Sequence, residues 1–194
     1  YGRQPGSVLF ALLQQPTPGM ENSRKVEITA MPVAATEQGC YDSVEYVDVV
    51  LLGAGEIYYT TDCTEPTEND KRYTGPIRLT ETTVLRVMCR EKGKLQSDIL
   101  DLTYLINEND NLPVVSLVTD PDNLWSDESG ILVMGNHASN VAPYYGANYW
   151  EDWEKPASIS LFETDGTGFA ALCGIKIHGN FSRVQPKKSF AVMF

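Results

Sequence analysis

Apolar and polar residues alternate with a period of two along most of the chain, and helical spacing is scarce. Val47, Val49 and Leu51 fall on one face while Asp48 falls on the other. The next run, 56–61, is β-branched and aromatic, and it ends in turn chemistry from Asp62 onward with Pro66 inside it. Gly75 and Pro76 punctuate the chain before Ile77 and Leu79. Leu85, Val87 and Cys89 then alternate with Arg86 and Arg90, which predicts a half-buried strand. After a turn at 92–94, Leu100, Leu102, Tyr104 and Ile106 alternate against Asp101 and Thr103. Short strands with a turn signal about every eight to twelve residues predict an antiparallel β-sandwich.

The polar stretch 107–111 reads as a linker, and a domain boundary is expected there. Beyond it, 113–118 has the look of a buried strand. Asp120-Pro121-Asp122-Asn123 is a helix-start signal, with Leu124 and Trp125 on one short turn. Gly, Asn, Tyr and Pro crowd 136–148, which predicts a long loop. Strand signals return at 157–162, 170–178 and 189–194, with Asp165-Gly166 as the turn between the first two. Ile159 and Leu161 share one face, as do Cys173, Ile175 and Ile177. The chain opens on Tyr1 and closes on Phe194 within an apolar run, which reads as a segment of a longer polypeptide.

A length of 194 residues with 42% hydrophobic content suits two small domains, each with its own core. The formal charge is −11 and the isoelectric point is near 4.6. Such a surface repels phosphate backbones and anionic lipids, so nucleic acid is not an expected partner, and an extracellular setting is. No apolar stretch approaches the ~20 residues of a membrane helix, so membrane insertion is not expected.

Cys40, Cys63, Cys89 and Cys173 form no Cys-x-x-Cys pair, and His137 and His178 lie far apart, so no metal site is expected from them. The acidic stretch 107–110 lacks the Gly and the distal Glu of a calcium loop. Two readings of Cys89 stay open: a small buried thiol, or a disulfide to Cys63 stapling a turn to a neighbouring strand in a secreted protein. Two readings also stay open for the aromatic cluster of Tyr144, Tyr145, Tyr149, Trp150 and Trp153. It either packs the long loop onto its own domain or offers a sugar-stacking platform, for which Tyr149, Trp150 and Trp153 are the glycan candidates. No Ser-His-Asp arrangement or glycosidase carboxylate pair can be assembled, and no catalytic residue is expected.

Three segments carry family resemblances. Tyr58-Tyr59-Thr60-Thr61-Asp62, Glu65-Pro66-Thr67 and Tyr73-Thr74-Gly75-Pro76-Ile77 resemble the chitobiase/β-hexosaminidase C-terminal domain family, a likeness covering about 25–106. It implies an immunoglobulin-like or fibronectin-like sandwich appended to secreted bacterial proteins as a spacer or sugar-binding accessory. The usual motif has Gly after Asp62 where this chain has Cys63, a departure that makes a left-handed turn less comfortable and favours the Cys63–Cys89 disulfide. Tyr1-Gly2-Arg3 and Pro16-Thr17-Pro18-Gly19 resemble the last strand and tail of a lamin-tail domain, which implies 1–24 as tail and linker.

The third segment, about 111–194, is similar to the start of the CotH family of atypical protein kinases. The likeness rests on 111–125, 149–166 and 174–190 in that order. It implies a partial, mostly β, kinase-like amino-terminal lobe at 107–194. In that lobe Gly179, Asn180, Ser182, Arg183, Lys187 and Lys188 would contact nucleotide phosphates. The family commonly has Arg near the position of His178, so one basic contact is weaker here. The acids that hold magnesium in that family belong to a carboxy-terminal lobe outside these residues. ATP and Mg therefore attach to a parent kinase, and these residues are expected to have neither cofactor nor enzymatic activity alone. Expected partners are that lobe, adjacent domains of the same chain, and surface proteins or glycans.

Overall fold

The computed structural model describes residues 2–3, 10–13, 17–22, 25–108 and 112–194. The protein is mainly β, as the alternation predicts. A short antiparallel pair, β1 (Gly2–Arg3) with β2 (Phe10–Ala11), precedes the sandwich. Much of the segment likened to a lamin tail, including Tyr1 and Pro16, lies outside the described residues.

The sandwich uses β3 (Val33–Ala34), β4 (Gly39–Tyr41), β5 (Val47–Val49), β6 (Leu51–Leu52), β7 (Glu56–Thr60), β8 (Lys71–Arg72), β9 (Ile77–Leu79), β10 (Thr83–Arg90) and β11 (Leu100–Ile106). One layer is a five-stranded sheet in the order β4-β11-β10-β7-β8, antiparallel except where β4 runs parallel to β11. The pairs β5–β9 and β3–β6 form the opposing layer. Alternate residues point inward, so Val47, Val49, Ile57, Leu79, Leu85, Val87, Leu102, Tyr104 and Ile106 close one core. Tyr104 is buried by its ring and donates its hydroxyl to the Thr36 carbonyl at 2.8 Å. Burial holds that phenol well above its ordinary pKa.

Cys63 adopts the left-handed backbone that the family motif gives to glycine, with φ of 66°. Asp62 makes this turn by accepting from the Thr64 amide at 3.1 Å and its hydroxyl at 2.6 Å. The Thr64 hydroxyl accordingly holds the Asp62 carboxyl below the usual carboxylate range. The expected Cys63–Cys89 disulfide is not formed, and both are free thiols. Cys89 pairs with Ile57 at one end of the β7–β10 ladder, whereas the Cys63 carbonyl meets Arg86, three residues along β10. Arg86 and Cys89, three apart on one strand, point to opposite faces, so Cys63 meets the face of β10 away from the Cys89 thiol. Cys89 is the buried thiol of the other reading, pressed against the core. Cys63→Gly should raise the denaturation midpoint by the equivalent of about 0.5–1 kcal/mol, while the β-branched Cys63→Val should lower it. A Cys63→Gly protein less stable than the parent would contradict a strained turn.

The second sheet runs in chain order, β12 (Val114–Val118), β13 (Lys155–Phe162), β14 (Gly168–His178) and β15 (Ser189–Met193), with every neighbour antiparallel. Helix α1 (Pro121–Trp125) follows β12 as the sequence signals, with Asp120 capping the Asp122 amide at 2.9 Å. The long loop lies across one face of the sheet. Ile131, Ala147 and Tyr149 from the loop enclose a second core with Ala157, Ile175 and Ile177. The expected boundary falls between β11 and β12, and 109–111 lie outside the described residues.

The outer face of β10 and β11 corrects one expectation. Arg86 alternates with core residues, yet it is as buried as they are, because β12 and β13 cover it. Its Nε donates to Asp101 Oδ1 at 2.9 Å, with the two side chains 7% and 6% exposed. Asp101 Oδ2 accepts from the Ser158 hydroxyl of β13 at 2.7 Å, and Arg86 also donates to the Cys63 carbonyl at 2.9 Å. The Thr103 and Ser116 hydroxyls share a 2.7 Å bond, and Asp120 Oδ2 accepts from the Glu65 amide at 3.0 Å. A buried pair broken on one side leaves a charge without compensation. Asp101→Ala should therefore cost about 3–5 kcal/mol in chemical denaturation. Arg86→Met combined with Asp101→Leu should recover most of it; a double variant as weak as the single would overturn this account.

Candidate functional site

The turn between β14 and β15 and the loop before β13, far apart in sequence, form one site. Gly179 has φ of 119°, and a Cβ there would collide with the Ser182 hydroxyl, so the position requires glycine. A 3₁₀ turn over Phe181–Val184 follows, with Asn180 exposed at its start. A second 3₁₀ turn, Asn148–Trp150, sits beside it.

Arg183 joins the two turns. Its Nε donates to the Gly179 carbonyl at 2.7 Å, and one terminal nitrogen reaches the Tyr149 and Trp150 carbonyls at 3.2 and 3.3 Å. The planar guanidinium suits several carbonyls at once, which a lysine ammonium cannot reproduce from one position. The resemblance suggested Arg183 as a phosphate donor; in the structure its Nε and one terminal nitrogen donate to backbone carbonyls. Lys188 is likewise engaged, donating to the Gln185 carbonyl at 3.1 Å with its ammonium 4.6 Å from the Tyr149 ring centroid. Desolvation lowers the Lys188 pKa. Ser182 and Lys187 are exposed.

The glycan candidates separate. Tyr149 is 3% exposed and belongs to the core, so its ring has no free face for a sugar. Trp150 is half-buried, anchored by its indole nitrogen on the Pro143 carbonyl at 2.8 Å. Its ring lies 5.4 Å from that of Tyr145 and 6.5 Å, edge-on, from that of Phe181. Trp153 is half-buried with the Lys155 ammonium 5.4 Å from its ring. Within the cluster Tyr149 packs into the core, while Tyr145 and Phe181 are each 62% exposed near Trp150. Phe181 escaped the sequence reading, and the signal for it was an aromatic ring inside the polar turn Gly179-Asn180-Phe181-Ser182.

Two clefts open along the seam between the sheets. One, of about 430 Å³, carries Glu37, Asp42, Glu108 and Glu163 on its walls; the other, of about 510 Å³, is lined by Met31, Val33, Leu161 and Phe169. Among the described residues no group of three or more His, Cys, Asp or Glu is arranged to hold a metal ion. The acidic stretch at 107–110 lies partly outside those residues. No helix among them is long and apolar enough to cross a membrane.

Strands β3 to β11 thus form an all-β sandwich. Within it, residues 36–101 match the family model of the chitobiase/beta-hexosaminidase C-terminal domain, a span running from just before β4 into the start of β11. No curated protein matches the chain.

Because Arg183 clamps both turns, Arg183→Ala should speed amide exchange at 144–150 and 179–185 together, by about tenfold or more. Arg183→Lys should not restore protection. Loosening confined to 179–185 would show that the turns are held independently.

Proposed function

We propose that the chain is a rigid, non-catalytic spacer and interaction module of a secreted or cell-surface protein. The observation supporting this most strongly is the seam, where a buried ion pair and several hydroxyls join the sandwich face to face with the second sheet. A joint of this kind fixes orientation, which is what a spacer supplies. The match to a chitobiase C-terminal-type domain supports the same reading, since that family suggests a β-sandwich module.

The likeness of 111–194 to the CotH family extends the proposal to a parent protein kinase, taking phosphate from ATP with Mg to Ser or Thr of surface proteins. In it this chain provides an incomplete nucleotide lobe, and the acids that hold magnesium come from the carboxy-terminal lobe. Gly179 would let backbone approach a phosphate, and exposed Lys187 would be the cation that meets it. Arg183 would position the turn, and Lys188 would support it from beneath. The lamin-tail likeness of 1–24 fits a multidomain parent of this type. A carbohydrate-binding accessory role is favoured by Trp150 with Tyr145 and Phe181 exposed near it.

One binding panel separates these readings: MgATP, chitin oligosaccharides and peptidoglycan fragments titrated onto the chain by calorimetry, with phosphate transfer assayed in parallel. No transfer is expected. MgATP binding should weaken at least about tenfold when Lys187→Ala and Lys188→Ala are combined. Unchanged affinity would remove both lysines from the assignment, and phosphate transfer by the chain alone would overturn the non-catalytic reading. Glycan binding abolished by Trp150→Ala would move the conclusion to the carbohydrate role.

A further inference from the structure

We propose that the seam between the sandwich and the second sheet carries a docking site for a basic peptide segment in which Lys or Arg alternates with aliphatic or aromatic residues. The two clefts along the seam are halves of one groove, because Glu37, Gln38, Phe162, Gly166 and Thr167 line both. The apolar half brings exposed Met31 and Val33 of the sandwich to exposed Phe169 of β14. The other half carries Glu37 and Asp42 from before and after β4, Glu108 from after β11, and Glu163 from the β13–β14 turn. Hydrogen bonds fix the wall that the two halves share. Ala35 donates its amide to the Val50 carbonyl at 2.8 Å, and the Thr36 hydroxyl donates to the Asp48 carbonyl at 2.9 Å. Gln38 Oε1 accepts from the Thr103 amide at 3.0 Å. A groove held in this way is formed before its ligand arrives, which lowers the cost of binding.

Charge complementarity selects the occupant. Among the described residues neither half has Lys, Arg or His on its walls, and none of the four carboxylates is in an ion pair. Glu108 accepts from the Thr82 hydroxyl, which leaves its charge in place. No three of these acids converge as ligands on one metal ion. Carboxylates spread along a groove suit separate ammonium or guanidinium groups, each meeting one acid. A bare polycation would leave Met31, Val33 and Phe169 in water, and a purely apolar segment would leave the acids unanswered. An extended peptide sends alternate side chains to opposite sides, so alternating basic and apolar residues fill both halves together. The groove shares no residue with the turns that Arg183 joins, and the proposal stands apart from the nucleotide and glycan readings of that site.

Calorimetric titration of the full chain with an end-capped octapeptide alternating Lys with Val tests this, beside one alternating Lys with Ser and beside spermidine. The Lys-Val peptide should bind at least about tenfold more tightly than the Lys-Ser peptide, which carries the same charge. Phe169→Ser should erase most of that difference. Glu37→Gln combined with Glu163→Gln should raise the Lys-Val dissociation constant by at least about tenfold. The bonds that these two residues make to Tyr41, Gly166 and Thr167 use their backbone, so the fold is retained. Glu81→Gln with Glu128→Gln removes the same charge from exposed positions outside the groove and should change affinity by less than about twofold. No binding of the Lys-Val peptide at about 1 mM would overturn the proposal. So would equal binding of the Lys-Ser peptide or spermidine, or a loss as large with the outlying pair of substitutions as with the groove pair.

Discussion

Arg86 and Asp101 face each other across β10 and β11 with both charges withdrawn from water, and the relation between the two sheets follows from how those charges are satisfied. An ion pair inside a protein is retained without large cost only when its remaining donors and acceptors are also engaged. Arg86 turns to the Cys63 carbonyl within the sandwich, and Asp101 turns to the Ser158 hydroxyl of the second sheet. One carboxylate therefore serves both layers. The left-handed turn at Cys63 presents the carbonyl that Arg86 needs, so a locally strained residue and a buried charge depend on each other.

The same logic recurs at smaller scale in the site. Arg183 spends its donors on three backbone carbonyls and makes two separate turns behave as one surface. Trp150 and Phe181, 31 residues apart, then meet edge to face. In both places an arginine joins elements that the sequence separates.

Local features were legible in the sequence. The alternation at 47–51 and 85–89, the Asp120 cap and the Asp165-Gly166 turn are encoded by neighbours, and period and turn chemistry reveal them. The parallel contact of β4 with β11 was not legible, because Gly39-Cys40-Tyr41 carries no strand signal of its own and gains its partner from 65 residues away. Nor was the burial of Arg86. A polar residue on a strand's outer face looks the same whether water or another sheet covers it, and only the partners Asp101 and Ser158 distinguish the cases. Within the site, the positive φ of Gly179 agrees with its glycine identity, while the burial of Tyr149 in the second core was not legible from its place in a Gly- and Asn-rich loop.

Ser116 and Ser158 give the seam a character unlike that of either core. Met88, Leu105 and Val118 are buried outside both hydrophobic clusters, and hydroxyls and a carboxylate make the hydrogen bonds across the seam. Water can take over each of those bonds if the layers part. Short of such parting, bonds with fixed donors and acceptors resist sliding of one sheet over the other, so the seam holds a single register.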